Sequence, residues 1–119
     1  MRIIVADDMF FNIIFISKII ESLGHTCVKC NNGQEVIDYL SENIADTAIL
    51  DIEMPKLNGL ETASYIKNVL KLKIPIAAIS SHNSNEYELK MKNSGFDYIL
   101  LKPVNVKNIT DFLASLENH

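Results

Sequence analysis

Short apolar runs alternate along the chain with longer stretches whose apolar residues recur at helical spacing, and turn residues mark the joints. Runs bounded by turn signals read as strands and the longer periodic stretches as helices. Arg2 to Ala6 is a first strand, rich in β-branched residues and apolar as a strand covered on both faces should be. Phe10 to Leu23 follows as a helix closed by Gly24, with Ile13, Ile16, Ile20 and Leu23 as its inward stripe. Thr26 to Cys30 is a second strand, and Gln34 to Leu40 a second helix that turns Val36, Ile37 and Leu40 inward. Thr47 to Leu50 is a third strand. The stretch Leu57-Asn58-Gly59 opens a helix running to about Leu70, with Leu60, Ala63, Ile66 and Leu70 at helical spacing. Ile76 to Ile79 is a fourth strand and Asn85 to Asn93 a polar helix whose clear apolar pair is Tyr87 and Met91. Tyr98 to Leu101 is a fifth strand, and Val106, Ile109, Phe112, Leu113 and Leu116 mark an amphipathic last helix.

Strands alternating with helices imply right-handed βαβ units and a parallel sheet with helices on both faces. In such sheets functional groups gather beyond the carboxyl ends of the strands, near a switch in strand order. The polar residues that interrupt the pattern fall at those ends: Asp7 and Asp8 after strand one, Asp51 after three, Ser80 after four, Lys102 after five.

A chain of 119 residues with 48% hydrophobic and 22% charged positions is the size and composition of one folded domain, expected over 1–119. The net charge of −4 argues against a nucleic-acid surface of its own, because phosphate binding needs clustered Lys and Arg. No apolar run reaches the length of a membrane span, and Asp7-Asp8 cuts off the first run before a signal-peptide core could form, so a cytoplasmic location is expected. Cys27 and Cys30 form a C-x-x-C within a strand, where i and i+3 point to opposite faces, which removes them as a redox or zinc pair.

Three carboxylates brought close together in a partly buried site repel one another unless a cation is present. Oxygen donors without His or Cys in the pattern favour a hard ion, Mg²⁺ or Mn²⁺. A transferring phosphoryl group wants a metal, a fixed cation and hydrogen-bond donors around its oxygens; Lys102 supplies the cation and Ser80 a hydroxyl. A carboxylate such as Asp51 can be the nucleophile and form a mixed anhydride.

Asp51-Ile52-Glu53-Met54-Pro55-Lys56-Leu57-Asn58-Gly59, with Asp-Asp after strand one and Lys102-Pro103 after strand five, resembles the D-x-x-M-P-x-x-[DN]-G pattern of response-regulator receiver domains, the CheY-like phosphoacceptor modules of two-component signalling. The resemblance covers the chain nearly end to end. It implies a flavodoxin-like (βα)5 fold with strand order 2-1-3-4-5. It implies that Asp51 is phosphorylated, that Asp8, Asp51 and the backbone carbonyl of Glu53 hold Mg²⁺ with Asp7 helping through water, and that Ser80 and Lys102 bind the phosphoryl group. It also implies a cis Lys102-Pro103 bond, a histidine kinase or histidine phosphotransfer protein as phosphodonor, and a downstream protein target. Glu53 and His82 match two positions thought to adjust dephosphorylation. Such a domain is no classical enzyme; it assists its own phosphorylation and dephosphorylation.

One departure concerns the reporting of the signal. The family usually carries an aromatic residue three positions before the lysine; here that position is Ile99, and Tyr98, one residue earlier, should face the other side of the sheet. On the first helix, Phe11, Ile14 and Phe15 lie roughly opposite the inward stripe, which predicts a docking surface for a four-helix-bundle phosphodonor or for a second copy in a homodimer. The rival readings are a phosphorylation-independent interaction module on the same fold and a phosphatase with an aspartate nucleophile. The chain ends soon after the last helix, so its output is expected through another protein or through onward transfer of the phosphoryl group.

Overall fold

The computed structural model describes residues 1–82 and 84–117. Five strands, β1 (Arg2–Ala6), β2 (Thr26–Cys30), β3 (Thr47–Asp51), β4 (Ile76–Ser80) and β5 (Tyr98–Leu101), alternate with α1 (Phe10–Ser22), α2 (Gly33–Glu42), α3 (Gly59–Asn68), α4 (Asn85–Asn93) and α5 (Val106–Glu117). The strands form one sheet in the order β2-β1-β3-β4-β5, every pair parallel. This is the expected doubly wound architecture, and the order reverses between β1 and β3.

Strand periodicity divides the core. Ile4, Ala6, Ala48, Leu50, Ile76 and Ala78 face α2, α3 and α4, meeting Val36, Leu40, Ala63, Ile66 and Met91. Their neighbours Ile3, Val5, Ile49, Ala77, Ile79 and Leu100 face α1 and α5, meeting Ile16, Ile19, Ile20, Ile109, Phe112 and Leu113. Because β3 and β4 are buried over their whole length, their sequences read as continuous apolar runs. Cys30 lies on the α2 face and Cys27 on the α1 face, as the alternation requires.

Helix ends follow local chemistry. Asn32 caps α2 by accepting from Glu35 N, and Asn58 with Glu61 forms a reciprocal capping box on α3. Two inward assignments are corrected. Leu23 is 42% exposed because the helix stops before it and Gly24 turns the chain at φ 87°, while Ile19 takes the buried place. Val106 is exposed because it begins α5 before the helix reaches the sheet.

The amino ends of the strands are tied by side chains bonded to backbone. Asp46 accepts from Arg2 N at 2.6 Å, Thr47 Oγ1 donates to the Pro75 carbonyl at 2.7 Å, and Asp97 accepts from Ile76 N at 2.9 Å. Lys67 joins this rim by donating to the Ile74 carbonyl at 2.7 Å while lying 3.4 Å from the Asp97 carboxylate.

Candidate functional site

The carboxyl ends of β1 and β3 are level, since Ala6 is opposite Leu50 in the ladder. The next residues, Asp7 and Asp51, therefore emerge side by side, both almost fully buried. With exposed Asp8 they offer carboxylate oxygens that all lie within 4.8 Å of one another.

Each carboxylate is held by named partners. Asp7 accepts from Met9 N at 2.9 Å and from Asn12 Nδ2 at 3.2 Å. Asp51 Oδ1 accepts from Glu53 N at 3.0 Å, and Lys102 Nζ lies 3.2 Å from Asp51 Oδ2. Burial, and after it the nearby charge of Asp51, push the Asp7 carboxyl up to about 6, against the hydrogen bonds from Met9 and Asn12. Among the described residues, the one ion pair to this cluster joins Lys102 to Asp51, so that three crowded carboxylates share one cation.

Lys102 is placed by β5: its N–H donates to the Ser80 carbonyl at 2.8 Å, and the Lys102-Pro103 bond is cis, as expected. Ser80 ends β4, one residue beyond the Asp51–Ile79 pair, and is buried. Its Oγ accepts from His82 N at 2.9 Å. The loop from Ile52 to Asn58 is fixed by Gly59, whose N–H donates to the Ile52 carbonyl at 2.8 Å. A Cβ there would collide with the Asp51 carbonyl and lie 2.7 Å from Ile52 Cα, so the close approach requires glycine.

All residues expected at the site come together at one end of the sheet. Glu53 and His82 are paired with each other, His82 Nε2 lying 3.1 Å from Glu53 Oε1. Sequence reasoning missed the role of Asn12 in holding Asp7; its signal was a polar residue in the otherwise apolar first turn of α1. Tyr98 packs edge-on against Phe112 with ring centroids 4.9 Å apart, on the face opposite Ile99, as the one-residue offset predicts.

Beside the carboxylates, a groove of about 390 Å³ runs between α1 and the segment after β5, from Asp7 and Lys102 to Phe15, Pro103 and Val104. Phe15, which lines the groove, is exposed, as are Met9, Phe10 and Phe11 at the start of α1, Phe11 by 82%. Ile14, expected with them, is half-buried. Among the described residues, no helix is long and apolar enough to cross a membrane.

The sequence profile of the response regulator receiver domain matches residues 3–114. The sensor histidine kinase RcsC of Salmonella typhi is 30% identical over 114 residues, covering 96% of this chain but 12% of that protein. The polar-differentiation response regulator DivK of Brucella anthropi is 25% identical, with 95% of this chain and 93% of DivK covered. Among solved structures, the receiver domain of the Francisella response regulator 1452 superposes with a TM-score of 0.91 at 24% identity, covering 98% of this chain and 96% of that one. The chemotaxis response regulator CheY4 of Vibrio cholerae does so at 0.90 and 21%, covering 97% of each chain; both likenesses establish the fold. On the profile match across nearly its whole length, the chain belongs to the response regulator receiver domain family of two-component systems.

Proposed function

We propose that the chain, as one domain over 1–119, is a phosphoacceptor in which Asp51 takes a phosphoryl group from a phosphohistidine of a histidine kinase or histidine phosphotransfer protein. The observation that carries this reading is a buried Asp51 with a lysine ammonium 3.2 Å away and two further carboxylates within 4.8 Å. Asp51 Oδ would form the bond to phosphorus as the P–N bond to the donor imidazole breaks, the imidazole nitrogen taking a proton from solvent. Lys102 Nζ balances the charge spread over the phosphoryl oxygens, and the Ser80 hydroxyl donates to one of them.

The donor set fits Mg²⁺ or Mn²⁺: it is all oxygen, and the raised Asp7 carboxyl marks a cluster that a divalent cation would relieve. Asp8, Asp51 and the Glu53 carbonyl would hold the ion, with Asp7 reaching it through water, and the ion would withdraw charge from the phosphoryl oxygens. The exposed Phe11 and Phe15 edge of α1 and the groove beside it suit a helical donor whose histidine must reach Asp51. Phosphorylation then changes binding to a downstream protein, and the domain works in the cytoplasm. The test is incubation with acetyl phosphate and Mg²⁺ followed by intact mass. One added phosphoryl mass, lost in Asp51→Asn, is expected; no added mass, or a mass that persists in Asp51→Asn, overturns the reading.

A further inference from the structure

Ile99 borders a cleft of about 200 Å³ between β5 and α4, lined also by His82, Glu88, Met91 and Leu101. A cavity of roughly 150 Å³ accommodates a benzene-sized ring. At the edge of this cleft the His82 imidazole is stacked on the Tyr87 ring, with centroids 3.9 Å apart and planes 16° from parallel. His82 therefore touches three parts of the molecule at once. Its backbone N–H is bonded to Ser80 Oγ, its ring nitrogen pairs with Glu53, and its ring face lies on the first turn of α4.

The helix it touches is thinly anchored. Met91 is the fully buried residue of α4, whereas Glu86, Leu89, Lys90 and Lys92 are exposed. An element with so little buried apolar surface shifts at small cost, unlike the sheet beneath it.

We propose that the His82–Tyr87 stack reports the state of Asp51 to α4, a role that rests on the phosphoacceptor reading. The Ser80 hydroxyl lies 3.4 Å from the His82 carbonyl, a long and weak contact for its single proton. A phosphoryl group on Asp51 presents strong acceptor oxygens to that proton. As the hydroxyl turns toward them, Ser80 Oγ withdraws from the His82 N–H. His82, released there, leaves Glu53 and moves into the space beside Ile99; Tyr87, stacked on it, carries the first turn of α4 along. Covalent bonds do not change in this step, and Tyr98, on the other face of β5, takes no part.

The experiment uses the full chain phosphorylated with acetyl phosphate and Mg²⁺, with intact mass giving occupancy and amide hydrogen exchange giving the response of α4. Tyr87→Leu and His82→Gln each remove one ring; Tyr87→Phe keeps the stack. Compared at equal phosphoryl occupancy by mass, because His82 also matches a position thought to adjust dephosphorylation, phosphorylation is expected to change α4 exchange about fivefold or more in wild type and Tyr87→Phe, and less than about twofold in Tyr87→Leu and His82→Gln. An α4 response of wild-type size in both ring-deleting variants overturns the stack as the reporter, as does a phosphorylated wild type whose α4 is unchanged. A wild type that takes up no phosphoryl mass overturns the phosphoacceptor reading, and this inference falls with it.

Discussion

Replacing Asp7 with asparagine should stabilise the metal-free protein. Asp7 is fully buried, and its carboxyl is raised from 3.8 to about 6 by burial and by the charge of Asp51. That is about two pH units, and at about 1.36 kcal/mol each the ionised group costs the folded state about 3 kcal/mol. In Asp7→Asn the side-chain oxygen still accepts from Met9 N, but the new amide meets the Asn12 amide that donated to Asp7 Oδ2, a loss of about 1 kcal/mol. The net gain is about 2 kcal/mol at neutral pH, or about 8 °C in Tm for a domain of this size.

The pH dependence separates this cause from any other. Between 3.8 and about 6 the folded state binds more protons than the unfolded one, so wild-type stability falls as pH rises through that window. Above it the deficit is constant. Below the window Asp7 is protonated in both states and the advantage of Asp7→Asn disappears. Urea unfolding in EDTA, followed by circular dichroism at about pH 7.5 and about pH 3.5, measures both limits. Mg²⁺ should narrow the gap at the higher pH by stabilising wild type more than the variant. A variant no more stable than wild type at the higher pH, or one whose advantage is undiminished at the lower, would refute the assignment of the strain to the Asp7 charge.

Lys102→Ala should leave the fold intact but slow phosphorylation by acetyl phosphate about a hundredfold, as read by mass against time, because the fixed cation 3.2 Å from Asp51 is gone. Gly59→Ala should cost about 3 kcal/mol in urea unfolding, since its Cβ would press on Ile52 and the Asp51 carbonyl. Phe11→Ser with Phe15→Ser should reduce transfer from a phosphorylated histidine donor about tenfold, through loss of docking area, while the rate with acetyl phosphate stays the same. Equal losses with both donors would place the effect in the pocket and not on the surface of α1.

The parts of this molecule legible in the sequence are those where a single local rule dominates. Continuous apolar runs identify β3 and β4 because both faces of these strands are covered, and the carboxylates, serine and lysine stand out because they end such runs. Periodicity misleads where a helix stops before its pattern does: Leu23 continues the stripe of α1, but the turn at Gly24 takes it out to solvent. Pairings across loops are illegible for another reason. That His82 meets both Glu53 and Tyr87 depends on how two loops and a helix start are placed in space, and no spacing in the chain encodes it. The bond from Asn12 to Asp7 is an intermediate case, being local yet dependent on how α1 departs from β1.

The two ends of the sheet differ in what they are made to do. At the amino end, Asp46, Thr47, Lys67 and Asp97 use their polar groups to knit backbone together. At the carboxyl end, Asp7, Asp8 and Asp51 are crowded together, and the buried charge of Asp7 is held at the expense of stability. Genetic variation should therefore separate by latitude on the molecule. Lesions along the lower rim would act through cellular abundance, be worse in warm-grown cells and be rescued by unrelated stabilising changes. Lesions that neutralise Asp7 on the upper rim would instead leave a plentiful, even hardier protein with its signalling impaired.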